Sequence, residues 1–137
     1  ISSHETTAYD FHDKTFLLVE DNELNREIAE KILEMSGATV ETAVDGLDAV
    51  NTVARSEEGY YDLILMDVQM PVMNGYKATR KIRLLHRSDV VKMPIVAMTA
   101  NAFTEDIMNA LQSGMNTHLA KPIDIKALSG VLSKYLH

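Results

Sequence analysis

Three short apolar runs constrain this chain more than anything else in it: Phe16-Leu17-Leu18-Val19, Leu63-Ile64-Leu65-Met66 and Ile95-Val96-Ala97-Met98. Runs with no polar alternation mark strands covered on both faces, the condition of a parallel sheet between layers of helix. Thr39-Val40-Glu41-Thr42-Ala43 and Thr117-His118-Leu119-Ala120 are more polar, as edge strands are. Helical patterns separate the five. Leu24, Ile28, Ile32 and Met35 form one stripe, stopped by Gly37; Leu47, Val50 and Val53-Ala54 form a second, opened by Asp45. Ala78, Ile82 and Leu85 make a third, opened by Asn74. A fourth joins Phe103, Ile107, Ala110 and Leu111, with Thr104 as N-cap and Gly114 past its end, and a fifth joins Ile125, Leu128, Leu132 and Tyr135, capped by Asp124. Five βα units in alternation predict an α/β fold with a five-stranded parallel sheet and helices on both faces. With the apolar strands in the middle and right-handed crossovers, the strand order is 2-1-3-4-5. The ligand crevice then lies outside the carboxyl ends of strands one and three.

The chain has 137 residues, enough for one domain with one real core, and 46% hydrophobic with 24% charged residues is a globular balance. Residues 1–13 are polar and aperiodic and read as a linker or tail, leaving 14–137 as the domain. No apolar run reaches membrane-spanning length, and no signal-peptide pattern is present. Without cysteine there are no disulfides or thiolate metal sites. A net charge of −7 argues against direct binding of nucleic acid, which needs a basic face. The chain begins with Ile1, as expected for a piece of something larger.

The residues just past the strands supply the chemistry. Glu20-Asp21-Asn22 follow strand one, Asp67 closes strand three, Thr99-Ala100-Asn101 follow strand four and Lys121-Pro122 follow strand five. A carboxylate at the end of a buried strand is tolerable only where that end opens to solvent, so Asp67 is a candidate nucleophile or metal ligand. Glu20, Asp21 and Asn22 also suit the N-terminus of the first helix, and taken alone that role would explain them. Three converging acids, however, exceed what one lysine can balance. A hard divalent ion with oxygen ligands fits, and Mg²⁺ would keep several of its own waters.

Glu20-Asp21 after the first strand, Asp67 within Met66-Asp67-Val68-Gln69-Met70-Pro71, Thr99 in Met98-Thr99-Ala100, and Lys121-Pro122 together resemble the receiver domain of two-component response regulators. The likeness runs from Lys14 to Leu136 and implies a flavodoxin-like winding. It implies that Asp67 is the phospho-acceptor, attacking a phosphohistidine to form an acyl phosphate. It further implies Mg²⁺ (or Mn²⁺) held by Glu20, Asp21, Asp67 and the backbone carbonyl of Gln69, with Lys121, Thr99 and the Ala100 amide binding the phosphoryl group. Lys121-Pro122 would be a cis peptide. Thr99 would be one switch residue and His118, where many receivers carry Tyr or Phe, the other.

The wording around residues 19–25 and 67–75 is most similar to receivers of hybrid sensor histidine kinases, with a stand-alone regulator as the alternative. The expected partners are a histidine kinase domain or a histidine phosphotransfer domain, not nucleic acid or membrane. The expected place is the cytoplasm, or the cytoplasmic part of a membrane-bound kinase. Such a domain catalyses its own Mg²⁺-dependent phosphorylation and dephosphorylation. A haloacid-dehalogenase-type phosphatase would need Asp-x-Asp after strand one, and a flavin binder a phosphate loop rich in Ser, Thr and Gly. A receiver-like module that is never phosphorylated would have lost its acceptor or lysine. The other histidines (His4, His12, His86 and His137) read as surface, and Met70 and Met73 as crevice rim.

Overall fold

Every residue of the first, third and fourth apolar strands beyond Thr15 loses essentially all contact with solvent, and the fold follows from that. The computed structural model describes residues 11–85, 87–100, 104–121 and 123–135. The chain runs β1 (Thr15–Val19), α1 (Glu23–Met35), β2 (Thr39–Ala43), α2 (Gly46–Arg55), β3 (Leu63–Asp67), α3 (Gly75–Arg83), α4 (Ser88–Lys92), β4 (Ile95–Thr99), α5 (Thr104–Ser113), β5 (Thr117–Ala120) and α6 (Ile125–Tyr135). All strand pairs are parallel, in the order β2-β1-β3-β4-β5. The expected α/β winding is therefore the one observed. No helix among the described residues is long and apolar enough to cross a membrane.

Side chains alternating along the central strands feed two cores. Leu17, Val19, Ile64, Met66, Ile95 and Ala97 face the layer of α2, α3 and α5. Phe16, Leu18, Leu63, Leu65, Val96 and Met98 face α1 and α6. Phe11 joins this second core, its ring 6.2 Å from that of Phe16 and its amide donating to the Ser36 carbonyl at 2.6 Å.

The helix faces differ from the sequence expectation. In α1 the buried residues are Ala29 and Leu33, whereas Leu24, Ile28 and Met35 of the expected stripe are 64%, 48% and 84% exposed. The two sets lie one position apart, about 100° around the helix. Small Ala29 lets the helix sit close to the sheet, and the longer side chains are turned to its flank. Leu47 and Leu111 are likewise exposed beside buried Ala49 and Ala110. Helix α4 was not expected at all. Five residues are too few for a period to register, and its support is tertiary. The Arg83 guanidinium donates to the carbonyls of Val90 and Met93, both at 2.7 Å, and Arg87 donates to Val53 O at 2.6 Å while pairing with Asp89 at 2.8 Å. Asn101, Phe103, Pro122, His4, His86 and His137 lie outside the described residues, and with Pro122 the expected cis peptide.

Backbone packing at the end of β3 is equally tight. Gly75 opens α3 directly against the strand, its amide donating to Val68 O at 3.1 Å; a Cβ there would lie 2.1 Å from the Asp67 carbonyl oxygen. Asn74 caps the helix by accepting from the Lys77 amide. Since the obstructing atom is backbone, Gly75→Ala is expected to cost about 2–3 kcal/mol of stability through overpacking, read as a lower denaturation midpoint. An unchanged midpoint would mean that the strand end and helix can separate freely.

Candidate functional site

Four strand ends place four side chains around one crevice of about 150 Å³, lined by Glu20, Asp21, Asp67, Gln69, Thr99, Ala100 and Lys121 among others. The parallel register explains the convergence: Val19 pairs with Met66, Asp67 with Met98 and Thr99 with Ala120, so β1, β3, β4 and β5 end level with one another. The residues that follow must therefore meet.

Asp67 is only 2% exposed, and so is Glu20. The Lys121 ammonium bridges them, 3.0 Å from Asp67 Oδ1 and 3.1 Å from Glu20 Oε1. Burial, and then the Glu20 side chain beside it, push the Asp67 carboxyl up to about 7 against the pull of Lys121. Burial acts on Glu20 too, but the Asn22 amide and the side chains of Asp67 and Lys121 outweigh it and hold Glu20 below the usual carboxylate range. Burial opposes the charge on Lys121, and the two acids more than compensate, raising it. Of the two carboxyls, Asp67 is thus the one whose surroundings favour its protonated form.

Asp21 adds a third acid from the exposed side of the loop. Oxygens of Glu20, Asp21 and Asp67 all lie within 4.8 Å of one another. One ammonium against three carboxylates leaves negative charge uncompensated, and an all-oxygen donor set suits a hard cation. The residues present therefore fit a divalent ion such as Mg²⁺; nothing in the donor set favours Mn²⁺. The Gln69 amide donates to Asp67 Oδ1 at 3.3 Å, while the Val68 amide is engaged with Met98 O. Of the two amides after Asp67, Gln69 is thus the one turned toward the carboxylate.

Not every expected residue reaches the crevice. His118 is half-buried on β5, opposite Ala97 and on the same face of the sheet, and it does not line the crevice. Met70 and Met73 pack against the core beneath α2 and α3 and do not line the crevice either. Asp106, in the first turn of α5, does line it and was not foreseen; an acid in the first turn reads in sequence as ordinary helix chemistry. Arg26 was also missed, although it ties the acidic loop from α1.

Without metal, a raised Asp67 carboxyl has a definite consequence for stability. Folding favours its protonated form, so no penalty exists below the ordinary carboxylate range, and the penalty grows as pH rises from about 4 to about 7. In the presence of a chelator, Asp67→Asn is expected to stabilise the protein by about 1–2 kcal/mol at pH 8 and to have little effect at pH 5. Equal midpoints for mutant and wild type at both pH values would show that Asp67 is ionised without penalty.

Comparison with known proteins places this geometry. The model of the response regulator receiver domain matches residues 16–133. The chain is 40% identical, over 136 residues, to the peroxide stress-activated histidine kinase mak1 of Schizosaccharomyces pombe, an alignment covering 97% of this chain and 8% of that protein. The receiver domain of sensor histidine kinase PA1611 from Pseudomonas aeruginosa, solved with a magnesium ion coordinated in its active-site cleft, superposes with a TM-score of 0.79 at 42% identity, covering 89% of this chain and 96% of that one. The Saccharomyces cerevisiae response regulator Ssk1, whose receiver domain was crystallised with the histidine phosphotransfer protein Ypd1, gives 0.77 at 32%, with 89% and 88% covered. The chain spans between 3% and 18% of the length of the curated relatives it matches. With the family model matched over residues 16–133 and a relative at 40% identity over nearly the whole chain, the chain belongs to the response regulator receiver domains of phosphorelay signalling.

Proposed function

We propose that Asp67 is the phospho-acceptor and that this domain, residues 14–137 with Phe11 packed ahead of it, takes its phosphoryl group from a phosphohistidine. The observation that carries this reading is the buried Asp67 carboxylate, bridged by Lys121 at 3.0 Å and gathered with Glu20 and Asp21 within 4.8 Å. An Asp67 oxygen attacks phosphorus in line with the leaving imidazole. The N–P bond breaks, its electron pair returns to the imidazole nitrogen, and an acyl phosphate remains on Asp67. Held by Glu20, Asp21, Asp67 and the Gln69 carbonyl, Mg²⁺ would supply positive charge beside the phosphoryl oxygens. Lys121 balances a further oxygen, and the Thr99 hydroxyl with the amides of Gln69 and Ala100 donates hydrogen bonds to the rest. Glu20 keeps Lys121 aimed inward throughout.

The donor is a histidine kinase or histidine phosphotransfer domain. An open groove of about 330 Å³ beside the acceptor, walled by Ile28, Ile32 and Ile123 and ending at Glu20 and Lys121, offers it an apolar seat next to the chemistry. The resemblance to kinase receivers supports a hybrid sensor histidine kinase as the parent chain, working in the cytoplasm. Output runs from Asp67 through Thr99, at the end of β4, to His118 on the adjoining strand. A phosphoryl group draws Thr99 toward the crevice and frees space into which His118 can turn.

Incubation with acetyl phosphate and Mg²⁺ is expected to add one base-labile phosphoryl group to the wild-type domain and none to Asp67→Asn. Equal labelling of the mutant would remove Asp67 from the role. With beryllofluoride as the phosphoryl mimic, amide shifts are expected around His118 and along α5 as well as beside Asp67. A response confined to the neighbourhood of Asp67 would rule out the route through His118.

A further inference from the structure

Asp21 is the odd member of the acidic cluster. It is exposed, and among the described residues its carboxylate makes no hydrogen bond or ion pair. Glu20, by contrast, is held by the Asn22 amide at 3.1 Å and by Lys121. The direction of the Asp21 carboxylate therefore depends on the backbone beneath it. Glu20 N bonds Ala43 O at 3.1 Å, and Asn22 caps α1 by accepting from the Asn25 amide at 2.9 Å. Arg26, one turn into α1 and half-buried, closes the arrangement: its Nη1 donates to the Glu20 carbonyl at 2.9 Å and reaches the Asp21 carbonyl at 3.4 Å. This guanidinium sits beside two acids yet forms no ion pair with either among the described residues; it is spent on their backbone oxygens. Both contacts come from the one nitrogen Nη1, whose N–H directions are fixed by the guanidinium plane, whereas an ammonium on a flexible stem holds no such fixed direction.

We propose that Arg26 is a positioning residue for the divalent metal, holding the Glu20-Asp21 backbone so that the Asp21 carboxylate stays within reach of Glu20 and Asp67. The inference rests on reading the crevice as a Mg²⁺ site. A competing account follows from charge alone: a cation beside a metal site repels the metal, so removing it should tighten binding. The two accounts predict opposite signs.

Calorimetric titration of Mg²⁺ into the metal-free domain separates them, with the denaturation midpoint in chelator as the check on folding. Replacing a group that orients a metal ligand weakens affinity by about tenfold, and Arg26→Ala is expected to raise Kd by that factor. Arg26→Lys keeps the charge but loses the reach and fixed donor plane of the guanidinium, and it should raise Kd by about threefold, which also serves should the alanine variant fold poorly. Lys31→Ala, which removes an equal charge five residues further along α1, should stay within about twofold of wild type because of screening. An Arg26→Ala Kd equal to or tighter than wild type overturns the proposal, as does a lowered midpoint with unchanged Kd. Asp21→Ala guards the underlying reading: if it binds Mg²⁺ like wild type, or wild type binds none, the metal site itself fails. If Asp21→Ala weakens binding and both Arg26 variants do not, only the positioning role falls.

Discussion

Two carboxylates buried against one ammonium at the open end of a parallel sheet set the terms for the rest of this structure. Asp67 and Glu20 are each 2% exposed, and Lys121 contacts both. Burying like charges so close is costly, and the cost is borne by a sheet whose three central strands are buried along almost their whole length. The surrounding architecture keeps the cluster in place. Gly75 brings the start of α3 against the Asp67 carbonyl, and Asn22 and Asn74 cap the helices that leave the rim. Val72, with φ +68 in the left-handed region, turns the chain between Asp67 and α3, while the Met73 amide closes the turn on Pro71 O at 2.7 Å. A β-branched residue in that region is strained, and the strain falls one turn from the chemistry.

Rigidity elsewhere comes from arginine. Arg83 spans α3, α4 and the approach to β5, donating also to Gly114 O at 2.8 Å and to Asn116 Oδ1 at 2.9 Å. Arg87 binds the far end of α2. Arg26 performs a similar service at the acidic loop. Each guanidinium satisfies backbone carbonyls at loops and element ends that no regular secondary structure would reach. None of these ties draws on a side-chain charge of the crevice.

Several of the exposed apolar residues lie on α1. Leu24 and Ile28 are exposed there, and Ile28, Ile32 and Ile123 wall the groove that ends at Glu20 and Lys121. Ile28 and Ile32, which helical periodicity assigns to the interior, thus wall an open groove beside the crevice. Under the function proposed above, such an apolar flank would seat the donor and the charged crevice would carry out the transfer.

Much was legible in the sequence because the signals were local and redundant. Three unbroken apolar strands, five alternating units and helix caps at Asp45 and Asn74 allow only one economical winding. Any such winding must gather the residues that follow strands one, three, four and five, so the meeting of Glu20, Asp21, Asp67, Thr99 and Lys121 could be reasoned out before any coordinate. What tertiary structure alone decided was orientation and long-range support. Which side of α1 faces the sheet depends on how closely Ala29 can approach it, and periodicity does not separate stripes one residue apart. Helix α4 exists through Arg83 and Arg87, whose partners are distant in sequence. The contrast between Asp67 and Glu20 in proton affinity arises from burial, from the contact between the two carboxyls, which raises Asp67 and lowers Glu20, and from the Asn22 amide at Glu20, while Lys121, 54 and 101 residues away respectively, pulls both down. Backbone pattern is written residue by residue, whereas charge balance and packing depth are properties of neighbours that only folding brings together.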